Sequence, residues 1–350
     1  MSTTLPTRSS QPIPTTPRTP SVRMGRRDYL SVLLRLTMME LYKLRRRLLL
    51  KVLFVVAVGF VALIMLVFAL TVGIDRNKPA ADFAPPPCSQ VSRVQAPHCL
   101  EHQPTQAELE HDKQTAIEDA SRTVRLPGSM ATVIGFTITA GILTPLIIIL
   151  TGAMVGGDYG FGMVRLLFTR GPTRLQFLLA KLSTVLVCIV IGILTITLVG
   201  IALGYLFRPI SGVTPTFDFF TAAWLGHALL YLLAAMLSWF MYAVITLFLS
   251  LLGRSTAAGI AGSLIWVSVE AILSGLLSTF GDQFGGFFKA LPDYFVGSNA
   301  TALLNNQNHF VTGYSASSLS DAHTLLVLAG YLVVFIGLSC WLTVRRDVTQ

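Results

Sequence analysis

Charge is what this chain has least of. Of 350 residues only 12% are Asp, Glu, Lys or Arg, about half the roughly 25% carried by an ordinary soluble domain. That shortage excludes a soluble globular enzyme and a solvated disordered chain. Four cysteines in this length exclude a disulfide-dense module. A G-x-x-x-x-G-K-[ST] stretch is also missing, so no loop cradles a nucleotide phosphate and any ATP must bind another polypeptide. Gly157–Gly162 (GDYGFG) has glycines but no preceding strand or following lysine, and is rejected as a nucleotide site. Nor does a secretory leader open the chain: the first apolar run begins after residue 51 and is span-length, which reads as a signal anchor. The net charge of +9 lies mostly beside apolar runs, where it meets anionic lipid. No basic domain exists to hold nucleic acid.

What is abundant is apolar length. Hydrophobic residues make up 53% of the chain and the mean hydropathy is +0.67. A helix needs about 20 apolar residues to cross a hydrocarbon core about 30 Å thick. Six stretches qualify: Val52–Gly73, Met130–Met154, Leu182–Phe207, Ala222–Leu252, Ala257–Phe280 and Thr324–Val344. The expected fold is therefore an all-α integral membrane protein with six transmembrane helices. Of the 26 Lys and Arg, 18 fall on the side holding both termini and 8 on the other, while acids run the opposite way, 4 against 12. The basic side is expected in the cytoplasm. Residues 1–24 carry five prolines and no acidic or aromatic residue, so they read as a disordered cytosolic tail before a permease-sized membrane domain over 25–350.

The external loop 74–129 turns from Pro-rich to acidic, and Thr105 and Glu108 have the spacing of a capping box that predicts a short surface helix. Cys88 and Cys99 share this loop in an oxidising compartment, where a disulfide is the favoured reading and two free thiols the alternative. His98, His102 and His111 lie nearby, but their spacing does not match a zinc site and a disulfide would consume the thiolates. No metal is expected.

On the basic side, Leu30, Leu33, Leu34, Met38, Leu41 and Leu44 approximate one helical face over residues 25–47. This reads as an interfacial helix with a turn near Arg45–Arg47 before the first span. The loop 155–181 is interrupted by Gly156, Gly157, Gly160 and Gly162, then by Gly171-Pro172. Between these breaks Met163–Thr169 forms a stubby segment with Val164, Leu167 and Phe168 able to share a face, which needs a partner surface or the lipid interface. Thr173 and Gln176 again have capping-box spacing, so the third span's helix is expected to start there.

Two segments carry a resemblance. ELYKLRRR before the first span and DYGFGMVRLLFTRGPTRLQFLLAK after the second resemble the permease subunit of ATP-binding-cassette (ABC) type-2 exporters, over about residues 26–345. The family pattern commonly has Glu where Asp158 stands and Thr where Met163 stands; Arg165, Arg170, Gly171, Pro172, Arg174 and Lys181 fit it. The resemblance implies that 25–47 is an elbow helix and that the segment around Met163–Thr169 is a coupling helix. Asp158, Met163, Val164, Arg165, Leu167, Phe168 and Arg170 would then meet a cytosolic ATPase subunit, with ATP and Mg bound on that partner. It also implies a dimer with a second permease copy in the plasma membrane. Asp158 is a shorter carboxylate that can still cap or pair with Arg165.

Within the spans, Glu270 is the one formal charge. Trp266, Glu270, Ser274 and Ser278 follow at i+4 steps. This stripe either lines a translocation pathway or holds helices together. His227 reads as an interface or packing residue. The aromatic and glycine-rich part of 281–323, with Pro292, suggests a re-entrant external hairpin or an interfacial belt. Gly152-x-x-x-Gly156 and Gly200-x-x-x-Gly204 permit close helix approach. The expected function is the membrane subunit of an exporter for an amphipathic drug, peptide or lipid-like cargo. The alternatives are a sensor or immunity protein with a ligand-binding external loop, and a proton-coupled transporter using Glu270.

Overall fold

The computed structural model describes residues 26–83, 105–139, 141, 143–160, 173–213, 219–313 and 315–345. The N-terminal tail, Cys88, Cys99, His98, His102 and the segment from Met163 to Arg170 lie outside the described residues. All regular structure among the described residues is helical: α1 (Arg26–Arg46), α2 (Leu48–Asn77), α3 (Gln106–Arg122), α4 (Leu126–Thr139), α5 (Thr144–Gly160), α6 (Arg174–Leu206), α7 (Arg208–Ser211), α8 (Ala222–Gly253), α9 (Thr256–Phe284), α10 (Gly286–Ala290), α11 (Val296–Thr312) and α12 (Asp321–Arg345), with 3-10 turns at Ala80–Phe83 and Leu291–Tyr294. Five of these, α2, α6, α8, α9 and α12, are long and apolar enough to cross a membrane.

The expected second span is not one helix. It divides into α4 and α5 around residues 140–143, and the break has a local cause. Gly141 takes φ +67°, a left-handed conformation that stops a helix, and its N–H closes α4 on Ile138 O at 3.1 Å. Pro145 then falls in the first turn of α5, where its missing N–H is harmless. At about 1.5 Å per residue, the 14 residues of α4 and the 17 of α5 are each too short to span alone. The two halves also pack differently: α4 against α6 and α11, α5 against α8 and α9.

Helix α8 is the hub. In its most apolar window 61% of residues are buried, against 6% for α9, so α8 sits inside the bundle and α9 on its flank. Tyr231 and Trp239 of α8 are fully buried, and the Tyr231 hydroxyl donates to Ala131 O of α4 at 2.8 Å. Both glycine pairs are used within the chain. A Cβ on Gly156 would sit 2.4 Å from Thr256 N of α9, and Gly152 faces Ile260. Gly200 and Gly204 of α6 lie against Val133 and Ser129 of α4. These motifs set helix spacing inside one bundle.

Contacts at the bundle's ends fall into two groups. At one end α1, the start of α6, the end of α5 and the end of α12 come together: Arg47 donates to Ala153 O at 3.2 Å and Arg174 to Val344 O at 3.0 Å. At the other, the end of α2 meets α7 through Arg76 and Gly212 O at 2.7 Å. There Trp224 Nε1 of α8 also donates to Val311 O of α11 at 3.2 Å.

Both capping boxes form as their spacing predicts. Thr105 N donates to Glu108 Oε2 at 2.7 Å to open α3, and Thr173 N donates to Gln176 Oε1 at 2.8 Å to open α6. The accepting Glu108 carboxyl is held below its ordinary range by the Thr105 backbone and hydroxyl.

Candidate functional site

The first site is built on α1. This helix ends at Arg46, and Arg47 turns extended at φ −75°, ψ 130° before α2 begins. Its protein-facing side differs from the leucine face, which was expected to meet the lipid interface. Thr37, Glu40 and Leu44 are buried, whereas Leu30, Leu34 and Met38 are exposed. The physical reason is that α1 lies on protein: α6 covers the side carrying Thr37 and Glu40. Thr37 and Ser183 share a hydroxyl hydrogen bond of 2.8 Å, and Thr37 also donates back to Leu33 O.

One helical turn on, Lys181 of α6 is 1% exposed and faces two carboxylates. Its Nζ lies 2.7 Å from Glu40 Oε2, forms an ion pair with Asp158 Oδ2 of α5 and donates to Met154 O at 3.2 Å. Glu40 Oε1 is also paired with Lys43 at 3.1 Å. Two formal anions thus face two cations, and all three Nζ protons of Lys181 have acceptors. An unpaired charge in such a site would cost several kcal/mol. Burial pushes the Glu40 carboxyl up, but Lys181 and then Lys43 more than offset it and hold it below the ordinary range.

The position of this cluster matters more than its strength. Asp158 stands two residues before α5 ends and Lys181 lies in the third turn of α6. Both roots of the 161–172 segment are therefore tied to each other and, through Glu40, to α1. Asp158 faces inward to Lys181 and is 3% exposed, so its carboxylate is committed within the chain. Glu40 and Lys181 were not among the expected site residues, although both stand in the two motif segments. The remaining expected coupling residues, Met163, Val164, Arg165, Leu167, Phe168 and Arg170, lie outside the described residues.

The second site is Glu270 on α9. Trp266 Nε1 donates to its Oε2 at 3.0 Å, and the backbone N–H of Gly297 donates to its Oε1. Gly297 is the second residue of α11, whose own N-cap residue, Phe295, supplies no side-chain cap. Glu270 therefore performs that capping from another helix. The Tyr242 hydroxyl lies beside the same glycine. Of the stripe, Ser274 is half-buried, and Ser278 is exposed with its hydroxyl bonded back to Gly275 O at 2.9 Å. Trp266 and Glu270 thus act as a pair, and Ser278 stands apart from them. His227 stacks on Phe310 at 4.4 Å with rings 12° apart, the packing role expected of it.

Helix α11 itself was not anticipated within 281–323. It is seated among α8, α12 and α4, with Asn306 and Gln307 donating to the two oxygens of Asp321 at 2.8 Å each. Val296, Ala300, Leu303, Leu304 and Val311 supply its buried apolar face.

Apolar helices of this length and number define a multi-pass membrane protein of all-helical class. The chain belongs to the family described as "Protein of unknown function (DUF2705)", whose profile matches residues 123–349. No curated protein and no solved structure matches it.

Proposed function

We propose that this protein is the membrane permease subunit of an ABC type-2 exporter, driven by ATP bound to a separate cytosolic ATPase. The observation that carries the reading is the Lys181 cluster, which joins the roots of the proposed coupling segment to α1. A load applied to residues 163–169 passes through Asp158 and Lys181 to Glu40 and tilts the elbow helix and α2 with it. Leu30, Leu34 and Met38 of α1 are exposed at i+4 steps and suit the inner lipid interface.

In this reading α4 and α5 together make the second of six crossings, and both termini lie in the cytoplasm with the Lys181 end. The charge bias of the sequence supports that orientation. Two permease copies in the plasma membrane move an amphipathic drug, peptide or lipid-like cargo outward. Glu270 closes the outer end by holding α11. The Cys88–Cys99 disulfide belongs to the same proposal.

The test is cross-linking in native membranes followed by mass analysis of the tagged 38.0 kDa chain. The expected product holds two copies of the chain and a cytosolic ATPase. Recovery of the folded chain as a monomer with no ATPase would overturn the reading.

A further inference from the structure

At the end of the bundle opposite Lys181, a cleft opens between the start of α4, the last turns of α6 and α7. Val124, Arg125, Ser129, Tyr205, Arg208 and Ser211 are among its walls, and no carboxylate among the described residues lines it. Arg125 Nε is shielded from solvent and has no hydrogen-bond partner among the described residues. Such a donor is costly to leave unpaired, so an acceptor at this place would be strongly favoured.

The surrounding charges point the same way. Arg76 brings a third guanidinium to the rim, held on Gly212 O one residue beyond Ser211. That contact depends on Gly212, whose φ is +64° and where a Cβ would strike the Arg76 guanidinium. Two acids close in sequence to Arg76 and Arg125 are paired with other cations, Asp75 with Lys78 and Asp119 with Arg122. Below the cleft the outer face of α6 exposes Ile191, Leu194, Leu198 and Tyr205. Residues 191, 198 and 205 are two turns apart and share one face, so an apolar track runs from the arginines along the span.

We propose that this cleft binds one anionic group, the phosphate of a membrane lipid or a free phosphate, between Arg125 and Arg208. Planar guanidiniums recognise phosphate oxygens through paired N–H donors. The inference is independent of the transport reading, since it uses neither the 161–172 segment nor a partner ATPase.

The experiment is native mass spectrometry of the full-length protein in mild detergent, titrated with phosphatidylglycerol, phosphatidylcholine or inorganic phosphate. Phosphatidylglycerol retained over phosphatidylcholine, and weakened at least tenfold by Arg125→Gln and by Arg208→Gln, identifies a lipid phosphate. Inorganic phosphate bound with the same loss in both variants, without headgroup preference, identifies a free anion. Arg208 is exposed, so Arg208→Gln carries the test alone if Arg125→Gln fails to fold. Arg122→Gln, which removes an arginine already paired to Asp119, should leave binding unchanged. The proposal is overturned if all three probes bind Arg208→Gln as they bind the parent, or if Arg122→Gln weakens binding equally.

Discussion

Replacing Lys181 by Met is the most revealing single perturbation. The side chain is 1% exposed and Glu40 and Asp158 are 6% and 4% exposed, so neither carboxylate can reach water when its shared cation is removed. Lys43 stays near Glu40 but bonds its other oxygen, which leaves Asp158 without a cation. Removing one partner of a buried ion pair typically destabilises by about 3–5 kcal/mol, whereas replacing the whole set by neutral groups is often nearly neutral. Lys181→Met alone should therefore lower the unfolding temperature in detergent sharply. Lys181→Met with Glu40→Gln and Asp158→Asn should recover most of that loss, because no unpaired charge remains buried. Thermal unfolding followed by tryptophan fluorescence reads both. The reasoning fails if the single variant unfolds with the parent, or if the triple variant is no more stable than the single.

Further outcomes follow from the same geometry. Because Glu40 is held below its ordinary value of 4.5, its folded form binds fewer protons than the unfolded chain. Its contribution is complete above about pH 5 and is lost as pH falls through the lowered value. Proteolysis within α1 should therefore rise only as pH falls below the ordinary value of 4.5, and a rise between pH 6 and 7 would contradict this. Glu270→Ala strands Gly297 N–H and Trp266 Nε1 and should cost about 1–3 kcal/mol, read as faster hydrogen exchange at the start of α11. Unchanged exchange there would refute the cap. Gly156→Val forces a side chain onto Thr256 and should destabilise by about 1–3 kcal/mol. Gly275→Ala, with nothing within 4 Å, should stay within about 0.5 kcal/mol of the parent in the same assay.

Local signals were legible where the chemistry is local. The boxes at Thr105 and Thr173 follow from side chains three residues from their backbone partners. The long spans follow from composition alone. The division of α4 from α5 was also on the page, in Gly141 and Pro145, but an unbroken apolar run of the right length concealed it. Helix α11 was hidden for the opposite reason: Asn299, Asn306 and Gln307 dilute its apolar pattern, and only a protein interior that bonds those groups makes it a core helix. The Lys181 cluster joins residues 141 and 23 positions apart in sequence, and no periodicity reports such a meeting. The same contact explains why α1 buries Thr37 and Glu40: that side packs on α6, while Leu30, Leu34 and Met38 stay exposed.

The central claim is that a cytosolic ATPase drives this chain through residues 163–169. The most direct measurement is ATP hydrolysis by the affinity-purified protein, parent beside a Leu167→Asp, Phe168→Asp variant, each checked for folding by its unfolding transition. The account predicts hydrolysis copurifying with the parent and lost with the folded variant. Folded parent protein that carries no ATPase activity, or activity that the variant retains in full, would contradict it.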